Sequence, residues 1–380
     1  MVTAGRGRFI GAAAGPGSAD RRARPSYFRP FRRLAGRGDT GTPDGTAEEE
    51  TAMKAFVLRS YGPPEALALE DVKIPAPGDG EVLVKVRATS VQPYDWHMMR
   101  GQPYVARLMG GGPGLRRPKI TVLGADLAGQ VEAVGPGVVG LRPGDEVYAM
   151  PKQGGFAEYA CVAVGELAPK PAGLSFEQAA AVPLAAGTAL LALRDEGRLQ
   201  AGQRVLVNGA SGGVGTFAVQ LAKAFGAEVT GVCGPRNTGL VRSLGADEVI
   251  DHTKEDFTRG GRRFDLFLDI AGSRPISAGL RVLTRGGTYV LVGGPGGRWV
   301  SPAGRMFRTL ATNPFVPQRI TLADVIRCTE TRSNLLTLAG LIEEGRVRPV
   351  IDRCHPFHEI PTAIAYQEQG HAAGKVVVTV

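Results

Sequence analysis

The stretch Val205-Leu-Val-Asn-Gly-Ala210-Ser-Gly212-Gly-Val-Gly215-Thr-Phe217 decides how the rest of the chain is read. Arg204 to Asn208 is a short apolar run with strand character. It enters a turn of small residues, and Phe217 to Phe225 leaves the turn with helical periodicity. Ala210, Gly212 and Gly215 fill the three small positions of a Gly-x-Gly-x-x-Gly fingerprint, with alanine at the first. Such a turn must be tight, must let backbone approach a pyrophosphate, and must let helix pack closely on strand. Free amides at the helix start then face phosphate, so Ala210, Ser211, Gly212, Gly213, Val214 and Gly215 form the expected dinucleotide cradle.

Reading onward, Glu228 to Cys233 is a second strand, and further strands are expected at Val249-Ile250, Asp265 to Ile270 and Thr288 to Val292. Strand alternating with helix implies an α/β fold around a doubly wound parallel sheet. After the second strand comes Gly234-Pro-Arg236-Asn237, with no Asp or Glu where an enzyme preferring the unphosphorylated cofactor would place a carboxylate. Arg236 offers a forked cation for a 2′-phosphate, so NADPH is expected, with Asn237 beside it. A solvated turn arginine is the alternative. The same turn spells Gly209-x-Ser211-x-Gly213, a nucleophile elbow, and Asp352 with His355 or His358 follow in triad order. A serine hydrolase therefore stands as a rival, although Val214-Gly215 and Arg236 have no role in it.

Before residue 176 the pattern changes. Met53 to Leu58, Glu81 to Thr89 and 130 to 150 alternate apolar and polar residues between glycines and prolines, the mark of a β-rich lobe. Phe176 to Leu193 reads as helix, and Lys375 to Val380 is again strand, placed to return to the first lobe. Residues 1–52 are Arg-rich with little apolar periodicity and are expected to be disordered. They are either an organellar transit peptide or an upstream extension outside the natural product, and the strand-like start at Met53 favours the extension.

The 380-residue chain has 54 glycines, 43% hydrophobic and 21% charged residues, which suits a turn-rich globular protein of two or three domains. Its four cysteines, Cys161, Cys233, Cys328 and Cys354, form no C-x-x-C pair, so neither a disulfide framework nor a zinc ribbon is expected. The formal charge of +9 is not gathered into a stripe with interleaved aromatics, so no nucleic-acid partner is expected. No apolar run reaches the roughly 18 residues of a membrane span. A soluble, cytoplasmic protein follows, or an imported one if residues 1–52 are a transit peptide.

From residue 53 onward the chain resembles the medium-chain dehydrogenase/reductase superfamily, in its zinc-free quinone oxidoreductase branch. The resemblance is carried by Gly124-Ala-Asp126-Leu-Ala-Gly129-Gln-Val-Glu-Ala-Val-Gly135, Arg142-Pro-Gly144-Asp145-Glu-Val147 and Gly155-Phe-Ala-Glu158-Tyr. Gln178-Ala-Ala-Ala-Val-Pro183-Leu-Ala-Ala-Gly-Thr188-Ala, Gly245-Ala-Asp247 and Gly286-Gly-Thr-Tyr-Val-Leu-Val-Gly293-Gly294 continue it. It implies a GroES-like substrate domain over 53–178 and 319–380, a Rossmann domain over 179–318, and a cleft between them. A homodimer is expected as well. Thr188, Gly293 and Lys375 match positions near the cofactor, and His252 one near the 2′-phosphate.

Relatives that use zinc place Cys, His and Cys at positions matching Gln92, Ala125 and Leu184, so no metal ligand is expected. Without a Lewis acid, simple alcohol oxidation is disfavoured, and quinones or α,β-unsaturated carbonyls become the expected substrates. Ser90-Val-Gln92-Pro-Tyr94-Asp95-Trp96-His97 resembles the nicotinamide-side segment, with asparagine usual at Gln92. Tyr94, His97 and Gln92 are the candidate catalytic residues, against the alternative that they only pack the lobe junction. Tyr148 and Lys152 mimic a short-chain dehydrogenase pair, but Pro151 argues against the helix they would need. The basic loop Arg107 to Lys119 and the stretch Arg298 to Arg319, with Trp299, Met306, Phe307 and Phe315, are candidates to shape the substrate pocket, and the second is equally a candidate for a subunit interface or a membrane-surface helix. A non-catalytic NADPH-binding or nucleic-acid-binding protein of the same fold stays open.

Overall fold

The described residues begin with β1 (Ala52–Leu58) and β2 (Leu67–Lys73), an antiparallel pair with Phe56 opposite Leu69. This computed structural model describes residues 52–108, 114–294 and 316–380. The expectations for residues 1–51, for 109–113 of the basic loop and for 298–315, including Trp299, Met306, Phe307 and Phe315, lie outside them.

Next come β3 (Glu81–Val91), α1 (Pro93–Arg100), β4 (Asp126–Val134), β5 (Glu146–Ala149), β6 (Tyr159–Ala163) and β7 (Leu167–Pro169). α2 (Phe176–Ala180) and α3 (Pro183–Leu190) lead into the second lobe. Phe176 to Leu193 is thus two helices where the sequence reads as one. Pro183 has no N–H to extend the helical ladder from α2 and instead starts α3. From Leu191 to Glu196 the backbone widens into a π-helical turn.

The parallel sheet is built from β8 (Arg204–Asn208), β9 (Glu228–Cys233), β10 (Glu248–Asp251), β11 (Phe264–Asp269), β12 (Leu283–Leu291) and β13 (Arg319–Leu322), in the order β10-β9-β8-β11-β12-β13. Between β8 and β9 runs α4 (Gly213–Ala224). A domain boundary at 318/319 falls inside this sheet, because Ile320 of β13 pairs with Tyr289 of β12. β13 escaped the sequence reading because it is only four residues long and Ile320 alone in it is buried. The boundary at 178/179 likewise cuts α2.

The last strands, β14 (Ile351–Pro356) and β15 (Lys375–Thr379), join the first lobe in the order β14-β15-β3-β4-β5-β7, with β6 also on β3. Val377 lies opposite Ser90, so both ends of the described chain build the substrate lobe. One buried apolar cluster runs from Ala128 and Tyr148 through α2 and α3 to Val205, Val207, Phe217 and Val229. Each large side chain buried there is worth about 1.5–3 kcal/mol relative to exposure. The two lobes therefore share packing, and the groups at their junction are held from both sides.

Candidate active site

The fingerprint turn closes where β8 meets α4. Gly209 has φ +94°, a left-handed conformation that glycine adopts without a Cβ penalty. A Cβ on Gly215 would sit 2.1 Å from the Gly209 carbonyl oxygen, so the helix can approach the strand only with hydrogen there. Beneath the turn, Asn208 Nδ2 donates to Asp269 Oδ1 at 2.8 Å and to Ser273 Oγ at 3.1 Å. Tyr289 donates its hydroxyl to Asp269 Oδ2, and the Gly272 amide donates to Oδ1 at 3.0 Å. This network ties the ends of β8, β11 and β12 together under the cradle. The sequence reading missed it, although its signal was present: Asn208 and Asp269 each end an apolar strand with a polar residue.

Across the junction, Gly374 pairs in a parallel bridge with Gly212, and Cδ of Lys375 lies 3.1 Å from where a Cβ of Gly213 would stand. β15 thus brings Lys375 against the nucleotide turn. Its ammonium enters a cluster of Ser90, Gln92, Asp95 and Asp126, all five residues at most 3% exposed. Lys375 Nζ donates to Gln92 Oε1 at 2.9 Å and lies 3.6 Å from Asp126 Oδ2. Asp126 also accepts from Ser90 Oγ at 2.8 Å and from the Leu184 amide of α3 at 2.9 Å. Asp95 Oδ2 accepts the Gln92 backbone amide at 3.0 Å, and the Gly124 amide and the Gln92 side chain favour the charged forms of Asp95 and Asp126, respectively. Asp95 and Asp126 are site residues that the sequence reading quoted in motifs but did not assign.

Two carboxylates share one ammonium in this dry cluster. Burial pushes Asp126 up and Lys375 down, and their attraction opposes both shifts. Asp95, pushed up by burial and then by Asp126, reaches about 7. The folded protein therefore keeps a proton that the unfolded chain releases near 3.8, so stability from this group is lost as pH rises from about 4 to about 7. Asp95→Asn is expected to flatten the fall in melting temperature across that window. An unchanged slope would contradict it.

The candidate donors on α1 separate. Tyr94 is half-buried, and burial, followed by the carboxylates of Asp95 and Asp324, raises its hydroxyl to about 12. Asp324 follows β13, so Tyr94 stands at the lobe junction. His97 stacks on Trp96 with ring centroids 3.7 Å apart, and its Nδ1 lies 3.2 Å from the Gln102 carbonyl oxygen. A carbonyl only accepts, so Nδ1 carries the proton and Nε2 is left as an acceptor. Burial lowers the His97 pKa, and its charged neighbour is Glu368. The structure thus sets His97 among substrate-lobe groups and does not bond it to Tyr94.

Thr188 is buried on α3 and donates its hydroxyl to the Leu184 carbonyl at 2.7 Å. The Gly293 amide donates to the Asp269 carbonyl at 3.3 Å, just past β12. At the other end of the cradle, Asn237 Nδ2 donates to Ser211 Oγ at 3.2 Å. Arg236 is exposed and has no ion pair or side-chain hydrogen bond among the described residues. His252 is exposed beyond β10, with Nε2 3.7 Å from a Cβ position on Gly234. Arg236, Asn237 and His252 therefore gather at the ends of β9 and β10. No triad forms around Ser211: His355 Nδ1 contacts Glu359 Oε2 at 2.9 Å and Asp352 accepts from the Tyr366 hydroxyl at 2.6 Å. Tyr148, on β5, donates to the Leu335 carbonyl while Lys152 pairs with Glu166, so these two form no catalytic pair. Among the described residues no three His, Cys, Asp or Glu side chains are placed to hold a metal. No helix among them is long and apolar enough to cross a membrane.

Comparisons with known proteins agree with this arrangement. A family model described as an alcohol dehydrogenase GroES-like domain matches residues 78–172, and one described as a zinc-binding dehydrogenase matches residues 244–378. The NAD(P)H oxidoreductase RTN4IP1, mitochondrial, of Mus musculus is 37% identical over 361 residues, covering 88% of this chain and 91% of the relative. An Arabidopsis thaliana NADPH-dependent alkenal/one oxidoreductase, chloroplastic, is 36% identical over 355 residues, covering 89% and 81%. The structure of the quinone oxidoreductase from Coxiella burnetii superposes with a TM-score of 0.74 at 30% identity, covering 87% of this chain and all of that one. The chain belongs to the medium-chain dehydrogenase/reductase family, in its quinone oxidoreductase-like branch. It is an NAD(P)H-type oxidoreductase built from a GroES-like lobe and a Rossmann-like parallel sheet.

Proposed function

We propose that this protein uses NADPH to reduce quinones or α,β-unsaturated carbonyls without a catalytic metal. The observation that carries the reading is the junction itself. Where zinc-using relatives are expected to place ligands stand Gln92, Ala125 and Leu184, of which Leu184 contributes only its backbone amide. The cation beside them is the ammonium of Lys375. These three side chains supply neither thiolate nor imidazole. Chelator treatment is expected to leave the rate unchanged, and a stoichiometric zinc whose removal stops turnover would contradict this.

The residues fit a bound dinucleotide. A Cβ on Gly212 would meet only the Gly209 carbonyl oxygen, at 3.6 Å, so the start of α4 leaves room for a phosphate. When bound, the reduced nicotinamide supplies hydride to the conjugated acceptor. Negative charge then grows on the acceptor oxygen, and Tyr94, which keeps its proton across the physiological range, donates to it. His97 is not assigned this step, because its one proton at neutral pH is committed to Gln102. Thr188, Gly293 and Lys375 line the nicotinamide side, and Ala210, Ser211, Gly212, Gly213, Val214 and Gly215 cradle the pyrophosphate.

Arg236, with Asn237 and His252, reads the 2′-phosphate. A hydrogen bond to a charged group is worth roughly 1.5–3 kcal/mol, about ten- to a hundredfold in affinity. Arg236→Ala is expected to lower the ratio of kcat/KM for NADPH over NADH by that factor while sparing NADH. Equal losses with both cofactors would remove Arg236 from the site. A homodimer belongs to the same proposal and is checked by sedimentation. The proposed location is the cytoplasm, or an organelle if residues 1–52 direct import, and a fluorescent fusion of those residues separates the two.

A further inference from the structure

From Trp96 to Ala125 the sequence carries Arg100, Arg107, Arg116, Arg117 and Lys119, and neither Asp nor Glu. Its positive charge has no local compensation. Arg100 reaches a distant carboxylate, Glu368, and Arg107 holds the segment in place. The Arg107 guanidinium lies over the Tyr61 and Tyr104 rings, 4.1 and 4.7 Å from their centroids, and donates to the Arg100 and Gly101 carbonyls at the end of α1. Tyr61 has a second contact. Its hydroxyl is 2.8 Å from the Gly114 carbonyl oxygen and 3.3 Å from that of Arg117, so one phenol grips both ends of the turn between them. Gly114 has φ +113°, and a Cβ there would lie 2.4 Å from the Arg117 oxygen, so the turn closes only around glycine. What this fixed turn presents to water is Leu115, 60% exposed, with Arg116, Arg117 and Lys119 exposed around it. Neither arginine has an ion pair among the described residues.

An ordered tip that pairs an outward leucine with cations fits a surface supplying hydrocarbon and negative charge together, which is the interface of a bilayer containing anionic lipid. A nucleic acid offers only the charge. We propose that the turn from Gly114 to Lys119 docks the substrate lobe on an anionic membrane surface, with Leu115 entering at headgroup depth and Arg116, Arg117 and Lys119 meeting the lipid headgroups. The acceptors within reach are then quinones dissolved in the bilayer, a clause that rests on the reductase reading.

The test sediments the full-length protein with phosphatidylcholine vesicles, with and without phosphatidylserine. A cation near an anionic surface contributes about fivefold in affinity, so Arg116→Ser combined with Arg117→Ser is expected to weaken binding to the phosphatidylserine vesicles about thirtyfold. That loss should vanish in about 1 M salt, where the screening length falls to about 3 Å. Leu115→Trp reports insertion directly, since an indole moved from water to the headgroup region emits at shorter wavelength; the signal is read as the difference from wild type with its two tryptophans. The arginines of residues 1–52 would also attract anionic lipid, but they cannot shift emission at position 115. Val139→Ser is the control, because Val139 is 89% exposed while nearby Arg142 is paired with Asp145, and it should bind as wild type. Reduction of 1,4-benzoquinone in buffer should be the same in every variant, whereas reduction of a decyl-substituted quinone held in the vesicles should fall with binding. Unchanged binding in the double-arginine variant overturns the docking proposal, as does an absent emission shift, the result expected if the turn meets an acidic protein or a nucleic acid instead. An equal loss with dissolved benzoquinone also overturns it, because the turn would then belong to the acceptor pocket. Wild-type protein that reduces neither quinone overturns the reductase reading, while the vesicle measurements still decide the docking.

Discussion

Gly215→Ala is expected to remove measurable dinucleotide binding, a loss of at least about a hundredfold, and to destabilise the protein by about 1–3 kcal/mol. The added methyl carbon would lie 2.1 Å from the Gly209 oxygen and 2.8 Å from two Ala210 backbone atoms. No rotamer relieves a clash with backbone, so α4 must back away from β8. Moving the helix start carries the amides of the cradle with it, and the cradle loses its fit to pyrophosphate. Gly165→Ala serves as the control, since a Cβ there meets nothing within 4 Å and φ is not in the left-handed region. Titration with NADPH and thermal melting check both proteins. Wild-type affinity in Gly215→Ala would mean that the turn does not hold the cofactor.

Tyr94→Phe is expected to lower kcat with a quinone or enone by about a hundredfold or more, within the range of about 10²–10⁴ typical of a positioned proton donor. The ring stays and only the hydroxyl goes, so packing at the lobe junction changes little. NADPH affinity should hold, and the loss should fall on kcat. Because the hydroxyl is raised to about 12, it stays protonated across the assay range and imposes no titration of its own below that pH. His97→Asn should cost far less at neutral pH, where burial keeps the imidazole neutral and Nδ1 faces Gln102. The reverse ranking of the two variants would move the donor role to His97.

How much of this was legible depended on how local each signal was. The turn from Gly209 to Gly215 could be read because strand, small residues and helix follow one another in sequence. Arg236 could be flagged because its distance from that turn is set by one helix and one strand. β13 could not, because a single buried Ile320 carries no periodicity and only its pairing with β12 makes it a strand. The two-helix break at Pro183 was visible as a residue, yet the apolar run across it reads as continuous. The ion pair of Asp126 with Lys375 was hidden, since the partners are far apart in the chain and meet only when β15 and β4 both pair with β3. Likewise, Tyr94 and His97 stand three positions apart on one helix, and only the neighbours each meets, Asp324 or Gln102, distinguish them.

In the proposed function, hydride goes directly from NADPH to an activated carbonyl at the junction of Tyr94, Gln92 and Lys375, with no catalytic metal. The most direct measurement follows NADPH absorbance with purified protein, offering quinones, enones and enals on one side and simple alcohols with NADP⁺ on the other, each with and without chelator. NADPH oxidation is expected with at least one quinone, enone or enal, with no oxidation of simple alcohols and identical rates in chelator. Alcohol oxidation that chelator abolishes would contradict it, as would tight NADPH binding without turnover on any acceptor.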